Sequence, residues 1–258
     1  MTLRKHSLIR FIKKSTIKNY GRFLLRKTDF VSKYNLNEII QLNSKQEHID
    51  ASTVIKQIGL SGHHDLTKNW DLLLSIGNAT RFHKFENFLD AGSGSKSIFG
   101  QSMFELGYKH VYSCDLQKSN VKGVKSIVCD IEQTPYNDNF FSVIACLSVI
   151  EHGVDLRAFA REMYRICKPG GELMISTDFW SKEEDHSDKF PYGANNPPMK
   201  LFNNETLRDL LQILHEQKWE VPQIKEFSEP PERPVFWKRM NASYTFVWFK
   251  VKKSHDEK

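Results

Sequence analysis

The sequence predicts an α/β fold: a doubly wound, mostly parallel seven-stranded sheet with an antiparallel last strand, plus an N-terminal helical extension. Three observations predict it. Apolar runs alternate with helical patterns from Phe88 onward, as in parallel sheets covered by helices on both faces. The first run breaks into a glycine turn, Asp90-Ala-Gly-Ser-Gly94, and the second ends in a carboxylate at Asp115. The 258 residues suffice for one sizeable core and leave little room for a second full domain.

The predicted elements follow each other in order along the chain. The apolar runs that we predict as strands lie at 87–90, 110–114, 125–130, 140–147, 171–177, 220–227 and 243–252. Helical patterns are predicted at 66–85, 97–106, 154–167 and 204–218. Because only a proline-rich loop separates the last two runs, we expect them to pair as a hairpin that makes the final strand antiparallel.

The net charge of +6 is concentrated in the first 28 residues, which hold nine lysines and arginines and no acidic residue. The rest of the chain holds 28 basic and 31 acidic residues, which argues against a basic nucleic-acid-binding face. We interpret 1–65 as a basic N-terminal helical extension and 66–258 as a Rossmann-like domain. For residues 1–28 three interpretations stay open: a solvated extension, a peripheral membrane or docking contact, and a targeting peptide.

Cysteine spacing and hydropathy indicate a cytoplasmic protein. The four cysteines form no CxxC pair and have no histidine at zinc-like spacing, so we expect reduced thiols and no metal site. The longest apolar run, Phe140 to Ile150, has eleven residues and is too short to cross a bilayer. We also expect no secretory signal, because the N-terminus lacks an apolar core and a cleavage site.

Three aspartates follow three successive predicted strands, at Asp90, Asp115 and Asp130. Taken singly, each is also explained as a helix cap or a turn residue. In an open α/β sheet, however, the carboxyl ends of parallel strands share one edge, and ligands bind there. Gly92 and Gly94 carry no Cβ, so the backbone can approach such a ligand closely. Asp115 follows Gly94 by 21 residues, a spacing typical of the ribose-binding acid of a nucleotide site.

Five motifs in order carry a resemblance to a known family. They are Phe88-Leu-Asp-Ala-Gly-Ser-Gly94, Tyr112-Ser-Cys-Asp115, Val128-Cys-Asp-Ile131, Phe140-Phe-Ser-Val-Ile-Ala-Cys-Leu-Ser-Val-Ile-Glu-His152 and Arg161-Glu-Met-Tyr-Arg-Ile-Cys-Lys-Pro-Gly-Gly-Glu-Leu173. With them the chain resembles class I S-adenosylmethionine-dependent methyltransferases, well over 66–180 and loosely at the last strand pair. The resemblance implies an S-adenosylmethionine cofactor and methyl transfer that needs no metal. One position departs from it, because Lys96 stands where members often have a third glycine.

The resemblance also implies roles for residues around the glycine turn. It places the backbone of Gly92 and Gly94 along the amino-acid tail and ribose of the cofactor. It places Asp90 near the ammonium group of that tail. Asp115 is expected to accept hydrogen bonds from both ribose hydroxyls, which a carboxylate does with its two oxygens.

Further roles follow for the later strand ends. Asp130 is expected to bind the adenine amino group, with Ile131 against the ring, and Ser148 to lie beside the point of methyl transfer. Candidate general bases are His152, whose pKa range suits proton transfer, and Asp178, which is predicted to face the cleft. For His152 we favour a structural or cofactor-side role over that of a base, since family members often carry this Glu-His pair without using it as a base.

A long connection at 179–201, rich in Trp, Tyr and Pro, is predicted to be an ordered lid. A second loop, before the last strand, is expected to reach the same edge with Arg233, Trp237, Lys238 and Arg239. Such a rim suits an anionic or sugar-bearing acceptor, with ordinary surface charge as the alternative. The predicted activity is therefore O-methylation of a small molecule or glycan precursor.

Three other functions stay open. A nicotinamide-dependent oxidoreductase would need a third glycine at Ser97 and leaves the pair Asp130-Ile131 unexplained. An RNA methyltransferase would use residues 1–28 as a binding arm and would depend steeply on salt. A degenerate methyltransferase fold that serves as a scaffold is disfavoured by the retained aspartates.

Overall fold

The structure, a computed structural model, describes residues 29–191 and 193–255. In this part of the chain the strands are β1 (Ile40–Gln41), β2 (Asn87–Ala91), β3 (His110–Asp115), β4 (Lys125–Val128), β5 (Phe141–Leu147), β6 (Cys167–Phe179), β7 (Trp219–Glu220), β8 (Val235–Trp237) and β9 (Ala242–Lys253). The helices are α1 (Asp29–Ser32), α2 (Lys45–Gln57), α3 (Asn69–Ala79), α4 (Ile98–Glu105), α5 (Leu156–Ile166) and α6 (Asn204–Glu216), with a 3₁₀ helix at Leu66–Lys68.

The strands form one mixed sheet in the order β1-β9-β6-β5-β2-β3-β4. The five strands from β6 to β4 pair in parallel, and β9 pairs antiparallel with β6. β7 and β8 also pair with β9, so this last strand joins four others. The predicted α/β class, the mostly parallel sheet and the antiparallel final strand are therefore confirmed.

Helices cover both faces of the sheet because successive strand residues point to opposite sides. Phe88 and Val143 belong to one buried cluster, which also contains residues of α2, α3 and α4. Their chain neighbours Leu89 and Ile144 belong to the other cluster, with residues of α5 and α6. Two apolar layers thus enclose the central strands, and the carboxyl ends of those strands are left as the edge where polar side chains collect.

Two helices begin at side chains that satisfy free backbone donors. The Asp155 carboxylate accepts hydrogen bonds from the backbone of Arg157 and Ala158 at the start of α5. Asn203 and Thr206 form a reciprocal capping box at the start of α6. The predicted helices at 154–167 and 204–218 therefore start close to where the pattern places them.

The structure differs from the prediction in three short strands. β1 and β8 lie where no strand is predicted, and a strand of two or three residues is too short to show a period. Of the run predicted at 220–227, only Glu220 belongs to a strand, β7 (Trp219–Glu220). Pro222 ends the pairing because it has no N–H for a further ladder hydrogen bond. β1 lies before residue 66 and joins the same sheet, and the division of the chain at residue 66 stays a prediction.

The remaining predictions on composition have mixed outcomes. Cys114, Cys146 and Cys167 are buried free thiols, and Cys129 is half-buried and free. Among the described residues no helix is long and apolar enough to span a bilayer. The same residues contain no cluster suited to hold a metal ion. The basic segment 1–28, with its predicted helix, lies outside the described residues.

Candidate active site

A cavity of about 1190 Å³ lies at the carboxyl edge of the parallel strands. Eight of the nine residues predicted for the site line it: Asp90, Gly92, Gly94, Asp115, Asp130, Ile131, Ser148 and His152. The predicted base Asp178 is absent from the lining. The sheet register explains the grouping, because β5, β2, β3 and β4 are parallel neighbours and end side by side.

The glycine turn after β2 is shaped by two positive φ angles, +71° at Gly92 and +58° at Gly94. A Cβ on Gly92 would lie 2.5 Å from the Val149 side chain, so packing excludes any other residue there. A Cβ on Gly94 would have no neighbour within 4 Å. The two glycines therefore serve different purposes: the first permits close packing, and the second leaves open space at the wall of the cavity.

Asp90 fixes the start of the helix that follows the turn. One of its oxygens accepts the Ser97 hydroxyl at 2.8 Å and the Gly100 backbone N–H at 3.1 Å. Burial raises the pKa of Asp90 to about 6, even though both hydrogen bonds favour the charged form. A buried carboxylate with so few donors is suited to a cationic partner in the cavity.

Asp115 ties the turn to its own strand. Its Oδ2 accepts the Gly94 N–H at 2.8 Å, and its Oδ1 accepts the Gln117 N–H at 2.8 Å. Each oxygen keeps a second lone pair that can accept a hydrogen bond from a ligand. Asp130 makes one comparable contact, from the Glu132 N–H to its Oδ1 at 2.9 Å. Both carboxylates are thus held by backbone donors at the ends of adjacent strands.

Ser148 lies in a strained conformation at the end of β5, with φ of +53°. Its backbone N–H donates to the Ser176 carbonyl at 3.0 Å, which fixes the residue against β6. Its hydroxyl oxygen is buried and has no hydrogen-bond partner among the described residues. A buried hydroxyl without a partner is costly, so a ligand group is the expected partner.

A charged cluster at the wall of the cavity was missed by the sequence reasoning. It contains the buried Asp71, Glu151 and Asp178 and the half-buried Lys68, from three separate segments. Lys68 Nζ lies 3.4 Å from Asp178 Oδ1 and 4.2 Å from the centre of the Phe246 ring. Lys68 and Asp71 line the cavity, whereas Asp178 lies beyond Lys68 and does not face the cleft as predicted. The predicted strand ended at 177, but β6 continues to Phe179 and keeps Asp178 inside the sheet.

The cluster shifts the protonation of its members. Although burial opposes the charge on Lys68, the carboxylates of Asp178, Glu151 and Asp71 raise its pKa above the ordinary value. Burial raises the pKa of Asp71 to about 6. Burial, followed by repulsion from Asp178, raises the pKa of Glu151 to about 8. The neighbouring His152 has its pKa lowered by burial, so its ring is neutral at neutral pH.

Two segments contribute residues to the outer side of the cavity, and together we call them the roof. The first segment follows β6 and comprises residues 180–191 and 193–202. The second is the β8–β9 turn at 238–241. Asn196, Pro197 and Arg239 of the roof line the cavity. Of the four predicted rim residues, Arg239 alone belongs to that lining. Arg233 instead stacks on Trp180, 3.8 Å from the ring centre, and pairs with Glu184 at 2.6 Å. Arg233 also donates to the Ser243 carbonyl at 2.7 Å, so it ties the 180–191 part of the roof to the start of β9.

Two adjacent histidines also line the cavity and were not predicted. The rings of His63 and His64 lie 4.3 Å apart. Burial lowers the pKa of His63. Nothing in the local pattern marks these residues, because they lie in a polar loop with no period and reach the cavity only through the packing of α2 and α3.

Part of the chain is similar in sequence to known proteins. Residues 89–175 match the family model described as a methyltransferase domain. A malonyl-[acyl-carrier protein] O-methyltransferase of Serratia marcescens is 31% identical over 41% of this chain and 42% of its own length. A ubiquinone/menaquinone biosynthesis C-methyltransferase of Burkholderia orbicola is 25% identical over 43% of this chain and 56% of its own length. The chain thus spans about half the length of these curated relatives.

A solved structure shows the same fold over a larger share of the chain. The phosphoethanolamine N-methyltransferase 2 of Haemonchus contortus, in complex with S-adenosyl-L-methionine, has a TM-score of 0.54 at 14% sequence identity. The match covers 82% of this chain and 57% of that one. At this identity the likeness shows the fold alone.

Proposed function

Because the chain belongs to the class I S-adenosylmethionine-dependent methyltransferase family, we propose that it transfers a methyl group from S-adenosylmethionine to a small-molecule acceptor. The observation that carries the proposal is the convergence of Asp90, Asp115 and Asp130 on one cavity, next to a glycine turn. All three carboxylates lie at the ends of adjacent parallel strands, where ligands of open α/β sheets bind.

The residues at this edge fit the chemical groups of the cofactor. The free lone pairs of Asp115 suit the two ribose hydroxyls, and Asp130 with Ile131 suits the adenine amino group and ring. The buried Asp90 suits the ammonium of the tail, since a cation there would stabilise its charged form. Gly94 leaves room for the tail and ribose, because nothing lies within 4 Å of the Cβ position.

When bound, the cofactor supplies a methyl group already activated by a sulfonium. The protein then has to align the acceptor with that methyl group and exclude water, which is the task of the roof and of the Ser148 hydroxyl. We propose His152 as the general base, since a neutral imidazole on the cavity wall can accept a proton. Asp178 is better suited to hold Lys68 in place, because it is buried and paired with that lysine.

We propose O-methylation of a small molecule or glycan precursor as the finer activity. The printed names of the similar proteins specify an O-, a C- and an N-methyltransferase, so they do not decide the acceptor atom. The cavity volume supports a separate acceptor, and the proposed base supports a hydroxyl as the group that is methylated. The cavity exceeds the usual size of a site for one small ligand, leaving room for cofactor and acceptor together. The proposed base can take the proton that a hydroxyl loses on methylation.

The location and partners remain part of this proposal. We propose a cytoplasmic site of action, which the four free thiols support. Contact of residues 1–28 with a membrane surface or with nucleic acid stays a prediction from composition, because those residues lie outside the described part of the chain.

Cofactor binding can be tested by isothermal titration with S-adenosylhomocysteine and, in parallel, with NAD. We expect S-adenosylhomocysteine alone to bind, and Gly94→Ala to weaken it at least tenfold, because the added methyl group would occupy the open space beside the tail. Gly193→Ala is the matched control, since Gly193 also has a positive φ and no neighbour within 4 Å of its Cβ position, and it does not line the cavity. Binding of NAD in preference, or equal weakening in both variants, would contradict the proposal.

A further inference from the structure

The cavity has two ends of different charge. The cofactor end, above β2, β3 and β4, carries four acids, Asp90, Asp115, Asp130 and Glu132, and one exposed cation, Lys96. The other end lies toward β6 and β9, because Lys68 contacts Asp178 of β6 and Phe246 of β9. Its lining includes His63, His64, Lys68 and Arg239, and one acid, the buried Asp71, which accepts a hydrogen bond from Ser176. At this end Arg239 is therefore the cation that the acceptor can reach without breaking an ion pair.

Arg239 stands out at this end of the cavity because no acidic side chain that the structure describes pairs with it. Lys68 is paired with Asp178, and Arg233 in the same region is paired with Glu184. Arg239 forms no ion pair with any residue that the structure describes, although it lines the cavity. Because a guanidinium stays charged at any physiological pH, it presents a permanent positive charge and a fork of donors to whatever binds there.

The position of Arg239 is defined by a tight turn. The turn joins β8 to β9, whose residues Trp237 and Ala242 are directly paired. Two backbone hydrogen bonds close it, from Met240 to the Trp237 carbonyl at 3.1 Å and from Asn241 to the Lys238 carbonyl at 3.3 Å. The backbone of this arginine is thus placed by the sheet, and its side chain alone has to adapt to a ligand.

The two histidines complete the arrangement. The backbone N–H of Asp65 donates a hydrogen bond to Nδ1 of His63 at 3.0 Å. Nε2 is therefore the nitrogen of His63 that can reach a ligand. His64 lies beside it on the cavity wall. Imidazole N–H groups and a guanidinium are a donor set suited to an oxyanion, which accepts several hydrogen bonds at once.

We propose that Arg239, together with His63 and His64, forms an oxyanion-binding subsite for the methyl acceptor, which carries a carboxylate or a phosphate ester. This inference rests on the proposed methyl transfer, and it names the chemical class of the acceptor. The subsite holds the acceptor by its charged group at the β9 end of the cavity, so the methylated atom points toward Ser148 and the cofactor end.

The test measures anion binding to the full chain, with and without saturating S-adenosylhomocysteine, at constant ionic strength. Inorganic phosphate and acetate are titrated in parallel into the wild-type protein and into Arg239→Gln, Arg239→Lys and Lys238→Gln. Lys238 is the matched control, because it is the exposed neighbouring cation and does not line the cavity. We expect Arg239→Gln to weaken anion binding at least tenfold, Arg239→Lys to weaken it less, and Lys238→Gln to change it less than twofold.

The anion that binds more tightly identifies the acceptor group as a phosphate or a carboxylate. Equal weakening in Arg239→Gln and Lys238→Gln would overturn the subsite in favour of a diffuse positive field, and so would the absence of binding by both anions. Failure of S-adenosylhomocysteine to bind the wild-type protein would refute the proposed function separately. Anion binding that still depends on Arg239 in the cofactor-free protein would then retain the subsite.

Discussion

Asp115 offers the sharpest test of the site, because both of its oxygens accept backbone hydrogen bonds. An asparagine at this position is nearly identical in shape, but its amide nitrogen is a donor. Whichever way the amide turns, the nitrogen faces either the Gly94 N–H or the Gln117 N–H, each of which lies 2.8 Å from a carboxylate oxygen. We therefore expect Asp115→Asn to damage the empty protein as well as its ligand binding.

The expected loss can be worked out from the contacts. Leaving one backbone donor unsatisfied costs about 1–3 kcal/mol, and the half-buried position of Asp115 favours the lower end, about 1 kcal/mol. Each ribose hydroxyl bonded to a charged acceptor contributes about 1.5–3 kcal/mol, so the loss of one such bond weakens cofactor binding about 10- to 100-fold. The free energy of unfolding follows from urea titration, and the affinity for S-adenosylhomocysteine from calorimetry.

Asp130→Asn is the matched control. Its Oδ1 accepts the Glu132 N–H, and its other oxygen accepts no hydrogen bond from the residues that the structure describes. An amide can therefore keep its oxygen at that donor, and we expect the free energy of unfolding to change by less than about 0.5 kcal/mol. Equal loss of stability in both asparagine variants, or none in Asp115→Asn, would refute the two-donor reasoning.

Two further predictions concern buried charges. The pKa of Asp90 is raised to about 6 by burial, so the folded protein holds a proton that the unfolded chain has released, and this contribution to stability is lost as pH rises from about 4 to 6. Asp90→Asn, whose amide oxygen can keep both hydrogen bonds, should gain stability relative to the wild type across that window, and a difference independent of pH in urea titrations would contradict this. Lys68→Met leaves Asp178 buried without its partner and should cost about 3–5 kcal/mol, whereas the same change at the exposed Lys96 should cost less than about 0.5 kcal/mol. A loss below about 1 kcal/mol at Lys68 in the same titrations would show that the cluster tolerates an uncompensated carboxylate.

The local pattern of apolar and polar residues predicted those parts of the fold that depend on residues close together in the sequence. The alternation around Phe88 and Val143 placed the central strands, and the carboxylates that end those strands came with them. The eight site residues that line the cavity all lie within a few residues of a strand end or in the turn that follows it. Their position is set by chain direction and by strand order, both of which a parallel α/β pattern implies.

The other residues of the site depend on packing between distant segments. Lys68 reaches the cavity because its segment folds against β6 and β9, more than 100 residues away in the chain. His63 and His64 likewise lie in a loop without periodicity, whereas Arg239 was predicted at this edge from its place before the last strand. Asp178 failed to face the cleft for a related reason: the strand was predicted two residues too short, and its extension is fixed by pairing with Phe246. Such pairings leave no mark in a local window.

The central place of β9 has a consequence for how the protein is made. This strand pairs with β1, β6, β7 and β8, and β1 precedes it by about 200 residues. During synthesis on the ribosome, the segment around Ile40 has no partner strand until the chain has been translated through Val247 and Trp248. The nascent polypeptide therefore carries an unpaired edge for most of its translation, and a chain interrupted before β9 would expose the side of β6 to other molecules.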